Sequence, residues 1–172
     1  MQKYIIRLAT LDDIQRINEL FIQMIRYVNE QNKKRGKEFD EDLFAYGYEE
    51  GFLEKFLTSN NKFILVAELD CKVVGYISCE EKINEELSFI YLDDFCVDTN
   101  FRGLGIGTSL IESVYEYALN NNYDSLRLHV NNENLNSLRF YNHLGFNLLI
   151  KDDCRTLMQK VVEEKTLINK MY

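Results

Sequence analysis

FRGLGIGTSL, Phe101–Leu110, sets glycines at positions 103, 105 and 107 behind Arg102, and an apolar, hydroxyl-bearing run follows at once. Downstream, Ile106, Leu110, Val114 and Tyr117/Ala118 recur at helical spacing, which predicts an amphipathic helix over Gly105–Leu119. Upstream, Leu87–Val97 reads as a long strand. The glycines therefore fill a strand-to-helix turn. At a helix N-terminus the first N–H groups lack intrahelical partners and the dipole leaves partial positive charge, so an anion can settle there. With no Cβ at Gly103, Gly105 and Gly107, a diphosphate can touch several N–H groups at once, and the turn can take positive φ without strain. Arg102 adds a guanidinium suited to phosphate oxygens.

Two other nucleotide turns can be tested against this stretch. A Walker loop ends in Gly-Lys-Ser/Thr, and no lysine follows Gly107. A dinucleotide fingerprint aligned on Gly103 and Gly105 wants glycine or alanine where Thr108 stands, and an acid where His129 and Val130 end the next strand. Neither pattern is met.

Working outward, Tyr4–Leu8 reads as a short strand, and Thr10 opens a helix with Asp13 as its acidic capping partner. Ile14, Ile17, Phe21, Met24 and Val28 give that helix one apolar face, ending near Glu30. A second helix is expected from the aromatic and charged segment Asn29–Gly51 as far as Leu57. Phe63–Ala67 and the run after Lys72 read as two strands joined tightly at Asp70-Cys71. Ser125–Val130 is the next strand. Leu135, Leu138, Tyr141 and Leu144 then lie on a helix closed by Gly145, and strands over Phe146–Ile150 and Arg155–Val161 finish the core. Strands interleaved with helices imply a mixed α/β or α+β sheet.

The 172-residue chain is 46% hydrophobic, enough for one sizeable core, so a single domain over 1–172 is expected. The longest apolar run, Phe63–Ala67, is too short to cross a bilayer, and MQKYIIRLAT lacks the apolar centre of a signal peptide. A soluble, cytoplasmic protein without a membrane partner is expected. Net charge of −8 argues against a nucleic-acid partner, whose phosphates would need neutralising. Cys71, Cys79, Cys96 and Cys154 form no C-x-x-C pair and, with only two histidines, no zinc-ligand spacing, so no metal is expected and the thiols should be reduced.

Val97–Ile111 resembles the Arg/Gln-x-x-Gly-x-Gly segment of the GNAT superfamily, the acyl-CoA-dependent N-acetyltransferases, with Arg102, Gly105 and Gly107 in its defining places. Leu126–Phe146 is similar to that superfamily's second signature, Asn-x-x-Ala/Ser leading to a helix with Tyr and a final Gly-Phe: Asn134, Ser137, Tyr141, Gly145 and Phe146 match in order. The resemblance covers about Tyr4–Val161, leaving 162–172 as a tail. It implies a mostly antiparallel sheet of six or seven strands flanked by helices, splayed between the fourth and fifth strands where the pantetheine arm of acetyl-CoA lies.

The resemblance also implies roles. Backbone groups of Phe95, Cys96 and Val97 would hold the pantetheine; Arg102, Gly103, Leu104, Gly105, Ile106, Gly107 and Thr108 would hold the pyrophosphate. Asn134, with Ser137 after it, would meet the cofactor arm, a place that also suits a helix N-cap. Acetyl transfer from a thioester to an amine passes through a tetrahedral oxyanion and expels a thiolate, and Tyr141 is the expected proton donor. The attacking amine must lose a proton, for which Asp93, Asp94, His129 or a water are all open. Asp93 and Asp94 face opposite sides of a regular strand, and Asp94 is preferred. Cys96 has no part in direct transfer and is expected to be a buried thiol.

Glu38, Asp40, Glu41 and Asp42 beside Phe39, Phe44, Tyr46 and Tyr48 would suit a cationic amine with an apolar body. A small-molecule amine is therefore the expected acceptor. A protein N-terminus or lysine as acceptor, and a non-catalytic acyl-CoA sensor, are the alternatives. The tail could pack on the domain or join two copies into a homodimer.

Overall fold

The side chain of Asp13 accepts the N–H of Thr10 at 2.8 Å, so the first helical segment is capped as its sequence predicts. In this computed structural model, which describes residues 4–36 and 47–163, that segment begins with one 3₁₀ turn, Leu11–Asp13, and continues as helix α1, Ile14–Lys34. The helix outruns its expected end near Glu30 by about a turn, and Lys33 and Lys34 there complement the dipole. The rest of the order is β1 (Ile5–Leu8) ahead of α1, then α2 (Phe52–Leu57), β2 (Lys62–Leu69), β3 (Lys72–Ile83) and β4 (Ser88–Val97). After these come α3 (Ile106–Asn120), β5 (Ser125–Asn131), α4 (Leu135–His143), β6 (Asn147–Lys151) and β7 (Arg155–Val161). Among the described residues the strands follow the hydrogen-bonded order β1-β2-β3-β4-β5-β7-β6.

The chain forms two compact units: residues up to Glu80 with Asp93–Glu112, and Glu81–Leu92 with Ser113 onward. In the first, β1, β2 and β3 pair antiparallel, and β2 passes into β3 through Asp70 and Cys71 at φ 49° and 61°. Positive φ at both central residues is what a two-residue hairpin turn of matching twist requires. The expected turn is there, made without glycine. Ile17, Leu20 and Phe21 of α1 are buried with Leu53 and Phe56 of α2 against Ile64 and Val66 of β2. Burying each such side chain is worth about 1.5–3 kcal/mol, more than the propensity of a six-residue helix could supply. Among the described residues the expected second helix is Phe52–Leu57, after Gly51 at φ 74°; residues 37–46 of its expected course lie outside the described residues.

In the second unit β4 runs parallel to β5, with Phe89↔Ser125, Ile90↔Leu126 and Tyr91↔Arg127 in register. β5 pairs antiparallel with β7 from Ser125↔Val161 to Asn131↔Arg155, and β7 with β6. Leu126, Leu128, Phe146 and Met158 fill its interior. Gly145, at φ 86°, ends α4 as its sequence predicts.

Candidate functional site

The glycine turn belongs to the first unit. Gly103 and Gly105 both stand at φ 79°, a backbone region that L side chains rarely adopt. A Cβ on Gly103 would meet nothing within 4 Å, so this glycine answers a backbone demand and leaves open space above the turn. The hydrogen-bond ladder of α3 starts with the Ser109 N–H donating to Gly105 O at 3.0 Å, which sets the N–H groups of Ile106, Gly107 and Thr108 ahead of it. Ile106 anchors the turn in the core while Leu104 is exposed. The Ser109 hydroxyl meets Tyr4 Oη at 2.9 Å, tying the helix start to the strand before α1. Arg102 is exposed; its Nε donates to Val97 O at 3.1 Å, and its guanidinium lies 5.0 Å from the Tyr27 ring centre. Open space, amides that find no partner among the described residues and an adjacent cation fit a diphosphate.

The end of β4 leads into this turn. Phe95 and Val97 are half-buried and Cys96 is buried. The Cys96 thiol donates to Leu20 O at 3.3 Å, and burial pushes its pKa up to about 12, as expected of an inert thiol. A Cβ on Gly75 of β3 would come within 3.1 Å of Cys96 O, so glycine lets the two strands approach here.

Asp93 is exposed and Asp94 is not, so the alternation along β4 separates the two carboxylates as expected. Asp94 Oδ2 accepts the Tyr48 hydroxyl at 2.6 Å, and its backbone N–H donates to Ser78 Oγ at 2.9 Å. Burial drives the Asp94 carboxyl above the usual carboxylate range; the Tyr48 hydrogen bond works against this and the charge of Asp93 adds to it.

The second unit carries the other motif. Asn134 caps α4, its Oδ1 accepting the Ser137 N–H at 3.2 Å. The helix-cap role is therefore present, and Asn134 Nδ2 makes no hydrogen bond among the described residues. Tyr141, one helical turn beyond Ser137, is half-buried with Phe140 and Phe146 edge-on at 5.3 and 5.5 Å. Burial pushes its phenol well above the ordinary value, which keeps it protonated at neutral pH. His129 is exposed on β5, with Nδ1 2.9 Å from Tyr91 Oη.

Tyr48, which bonds Asp94, Tyr76, which bonds Tyr48, and Tyr91, which bonds His129, are not singled out by the motifs. Tyr48 signals itself only as one aromatic in an acidic stretch. Among the described residues no cluster of His, Cys, Asp and Glu is arranged to hold a metal.

A sequence profile of the acetyltransferase (GNAT) family matches residues 24–146. The chain belongs to this family. An uncharacterised N-acetyltransferase of Methanocaldococcus jannaschii is 28% identical over 150 residues, covering 85% of this chain; the chain spans 62% of that protein's length. The GNAT fold is equally plain in solved structures. A tetramutant of a Bacillus halodurans protein superposes with TM-score 0.74 at 22% identity, over 86% of this chain and 96% of that one. The PaiA N-acetyltransferase of Thermoplasma acidophilum, in complex with coenzyme A, gives 0.69 at 18% identity, over 92% and 99%.

Proposed function

We propose that this GNAT protein is an N-acetyltransferase that moves an acetyl group directly from acetyl-CoA to a small primary amine. The observation that carries the reading is the turn at Gly103 and Gly105, both at φ 79° ahead of the first amides of α3, which have no partner among the described residues. Arg102 and the backbone from Gly103 to Thr108 would hold the diphosphate, with Leu104 and Ile106 contributing only main chain. Backbone groups of Phe95, Cys96 and Val97 would hold the pantetheine, and Asn134, in the Asn-x-x-Ser motif with Ser137, would meet the same arm through its Nδ2. Acetyl-CoA supplies the activated acyl group; the protein supplies orientation and proton transfer.

Tyr141 is the proton donor for the departing sulfur. A phenol is protonated at neutral pH and carries the one proton that the departing thiolate needs. Asp94 is the base for the attacking amine, supported by a carboxyl that burial makes more basic than usual. A second reading gives the proton to His129, whose ring is oriented by Tyr91 at 2.9 Å. Asp94→Asn and His129→Gln separate the two: with acetyl-CoA and a panel of primary alkylamines, the base variant loses the acid limb of the kcat/KM profile and about 10²–10⁴ in rate, and the other keeps both.

The acceptor reading rests on the described aromatic residues beside Asp94. The half-buried Tyr48 and the exposed Phe52 stack at 5.0 Å beside the half-buried Asp94 carboxylate, aromatic surface and negative charge suited to a cationic amine with an apolar body. Phe39, Phe44, Tyr46 and the acids Glu38, Asp40, Glu41 and Asp42 lie outside the described residues. Turnover on small amines in preference to peptide N-termini or lysyl peptides tests this choice.

A further inference from the structure

Tyr48 is held with unusual completeness for a loop tyrosine. Its ring is stacked on Phe21 of α1 at 3.9 Å and 22° on one side, and on Phe52 of α2 at 5.0 Å and 10°. Its backbone N–H donates to Asn18 Oδ1 at 2.8 Å. The residue before it, Gly47, sits at φ 90°, and a Cβ there would fall 2.1 Å from that same Asn18 oxygen. Only glycine lets the loop close over Asn18. Backbone, side-chain amide and two aromatic faces thus aim one hydroxyl at Asp94.

The hydrogen bonds then have a fixed direction. A carboxylate can only accept, so the single proton of Tyr48 goes to Asp94 Oδ2 at 2.6 Å. The Tyr76 hydroxyl, 3.1 Å from Tyr48 Oη, must therefore donate to Tyr48. Tyr76 is fully buried, and burial pushes both phenols far above their ordinary values, so neither gives up its proton at neutral pH. The chain runs Tyr76 to Tyr48 to Asp94 Oδ2. Asp94 Oδ1 makes no hydrogen bond among the described residues. The other charged or titratable groups that bear on this carboxylate are, on β4, Asp93 and the neutral Cys96 thiol, while the Ser78 hydroxyl on β3 holds only the Asp94 backbone.

We propose that Tyr48 is a positioning residue for Asp94: backed by Tyr76, it fixes the carboxylate through Oδ2 and leaves Oδ1 as the one oxygen that takes a proton. This rests on the reading of Asp94 as the base. It adds a requirement that no signature motif carries: a phenol from the segment between α1 and α2, placed by Asn18 and Gly47, completes the proton acceptor. Charge-assisted hydrogen bonds of this kind favour the ionised acceptor, so Tyr48 keeps a buried carboxylate within reach of neutral pH.

The test starts without any acceptor. In protein labelled with ¹³C at aspartate carboxyls, the Asp94 resonance is the one lost in Asp94→Asn. Tyr48→Phe keeps the stacked ring and removes only the hydroxyl, and the Asp94 titration should then move upward by about one unit or more, about tenfold in proton affinity. Tyr76→Phe should move it the same way by less. An Asp94 titration unchanged in Tyr48→Phe, with the fold intact by ¹H–¹⁵N spectra, overturns the proposal. If Tyr48→Phe does not fold, Gly47→Ala is the second arm: forcing the loop off Asn18 should raise the same titration, and an unchanged value there overturns the proposal equally. With acetyl-CoA and primary alkylamines, the acid limb of kcat/KM should follow the Asp94 resonance in each variant. A resonance that moves while the limb stays would keep the Tyr48–Asp94 linkage and overturn Asp94 as the base.

Discussion

Arg102 Nε donates to the carbonyl of Val97 at 3.1 Å, so the cation at the head of the glycine turn is tied to the last residue of β4. The tie uses Nε, and among the described residues the two Nη groups make no hydrogen bond, so both remain for the proposed diphosphate. It also links the strand end proposed for pantetheine to the turn proposed for diphosphate. Hydrogen bonds to charged groups are worth about 1.5–3 kcal/mol. Arg102→Ala should therefore weaken CoA about ten- to a hundredfold by titration calorimetry, and unchanged affinity would remove Arg102 from the site.

Gly105 gives an independent handle on the same turn. A β-branched residue at φ 79° is strained, and its methyl groups would stand where an anion approaches the amides of α3. Gly105→Val should abolish thermal stabilisation by CoA in a protein whose far-UV spectrum is native. Normal CoA binding by that variant would mean that the cradle lies elsewhere.

Away from the site, Arg7 grips Asp13 with Nη1 to Oδ2 at 2.7 Å and Nη2 to Oδ1 at 2.9 Å, while its Nε reaches Glu68. The Arg7 hydrogen bonds hold the Asp13 carboxyl below its ordinary value, outweighing the opposing effect of burial. A carboxylate whose pKa falls on folding contributes stability that is complete above the ordinary carboxylate range and is lost as pH drops through the native value. Asp13→Asn should cost about 1–3 kcal/mol at pH 7. The gap from wild type should close below about pH 4. Urea denaturation across pH checks this, and a gap constant down to pH 2 would contradict it.

Much of this architecture is legible in the chain because its signals are local. Thr10 and Asp13 announce a cap, Gly145 a helix end, and Gly103 and Gly105 a turn needing positive φ; each depends on residues within a few positions. Asp70-Cys71 could be placed by the strands on either side. The Asp93/Asp94 alternation follows from the pleat. The Tyr48–Asp94 bond spans 46 positions, and no periodicity or motif encodes which aromatic of the acidic segment will reach which carboxylate. The same holds for Tyr91 and His129, brought together only when β4 and β5 pair in register. The early end placed on α1 has a different cause. Its last turn is polar, so the apolar stripe fades at Val28 while the helix runs on to Lys34.

Tyr141 offers a test confined to a single oxygen. Phenylalanine preserves the edge contacts with Phe140 and Phe146. Since general acid catalysis typically contributes about 10²–10⁴-fold, Tyr141→Phe should lower kcat by that much with acetyl-CoA affinity near wild type. Because burial holds the phenol far above neutrality, the wild-type profile should show no Tyr141 limb below pH 9. Activity within about threefold of wild type when chemistry limits turnover would return Tyr141 to a packing role.

The most direct measurement of the central claim is product analysis. Purified protein, acetyl-CoA and a panel of small primary amines are incubated together, with free thiol followed by absorbance and the amine by mass spectrometry. CoA release should be matched one-for-one by an amine heavier by one acetyl group, and both signals should be abolished or sharply reduced in Gly105→Val. Stabilisation by CoA with no acetylated product from small amines, peptide N-termini or lysyl peptides would contradict it and leave a protein that binds acyl-CoA without transferring the acyl group.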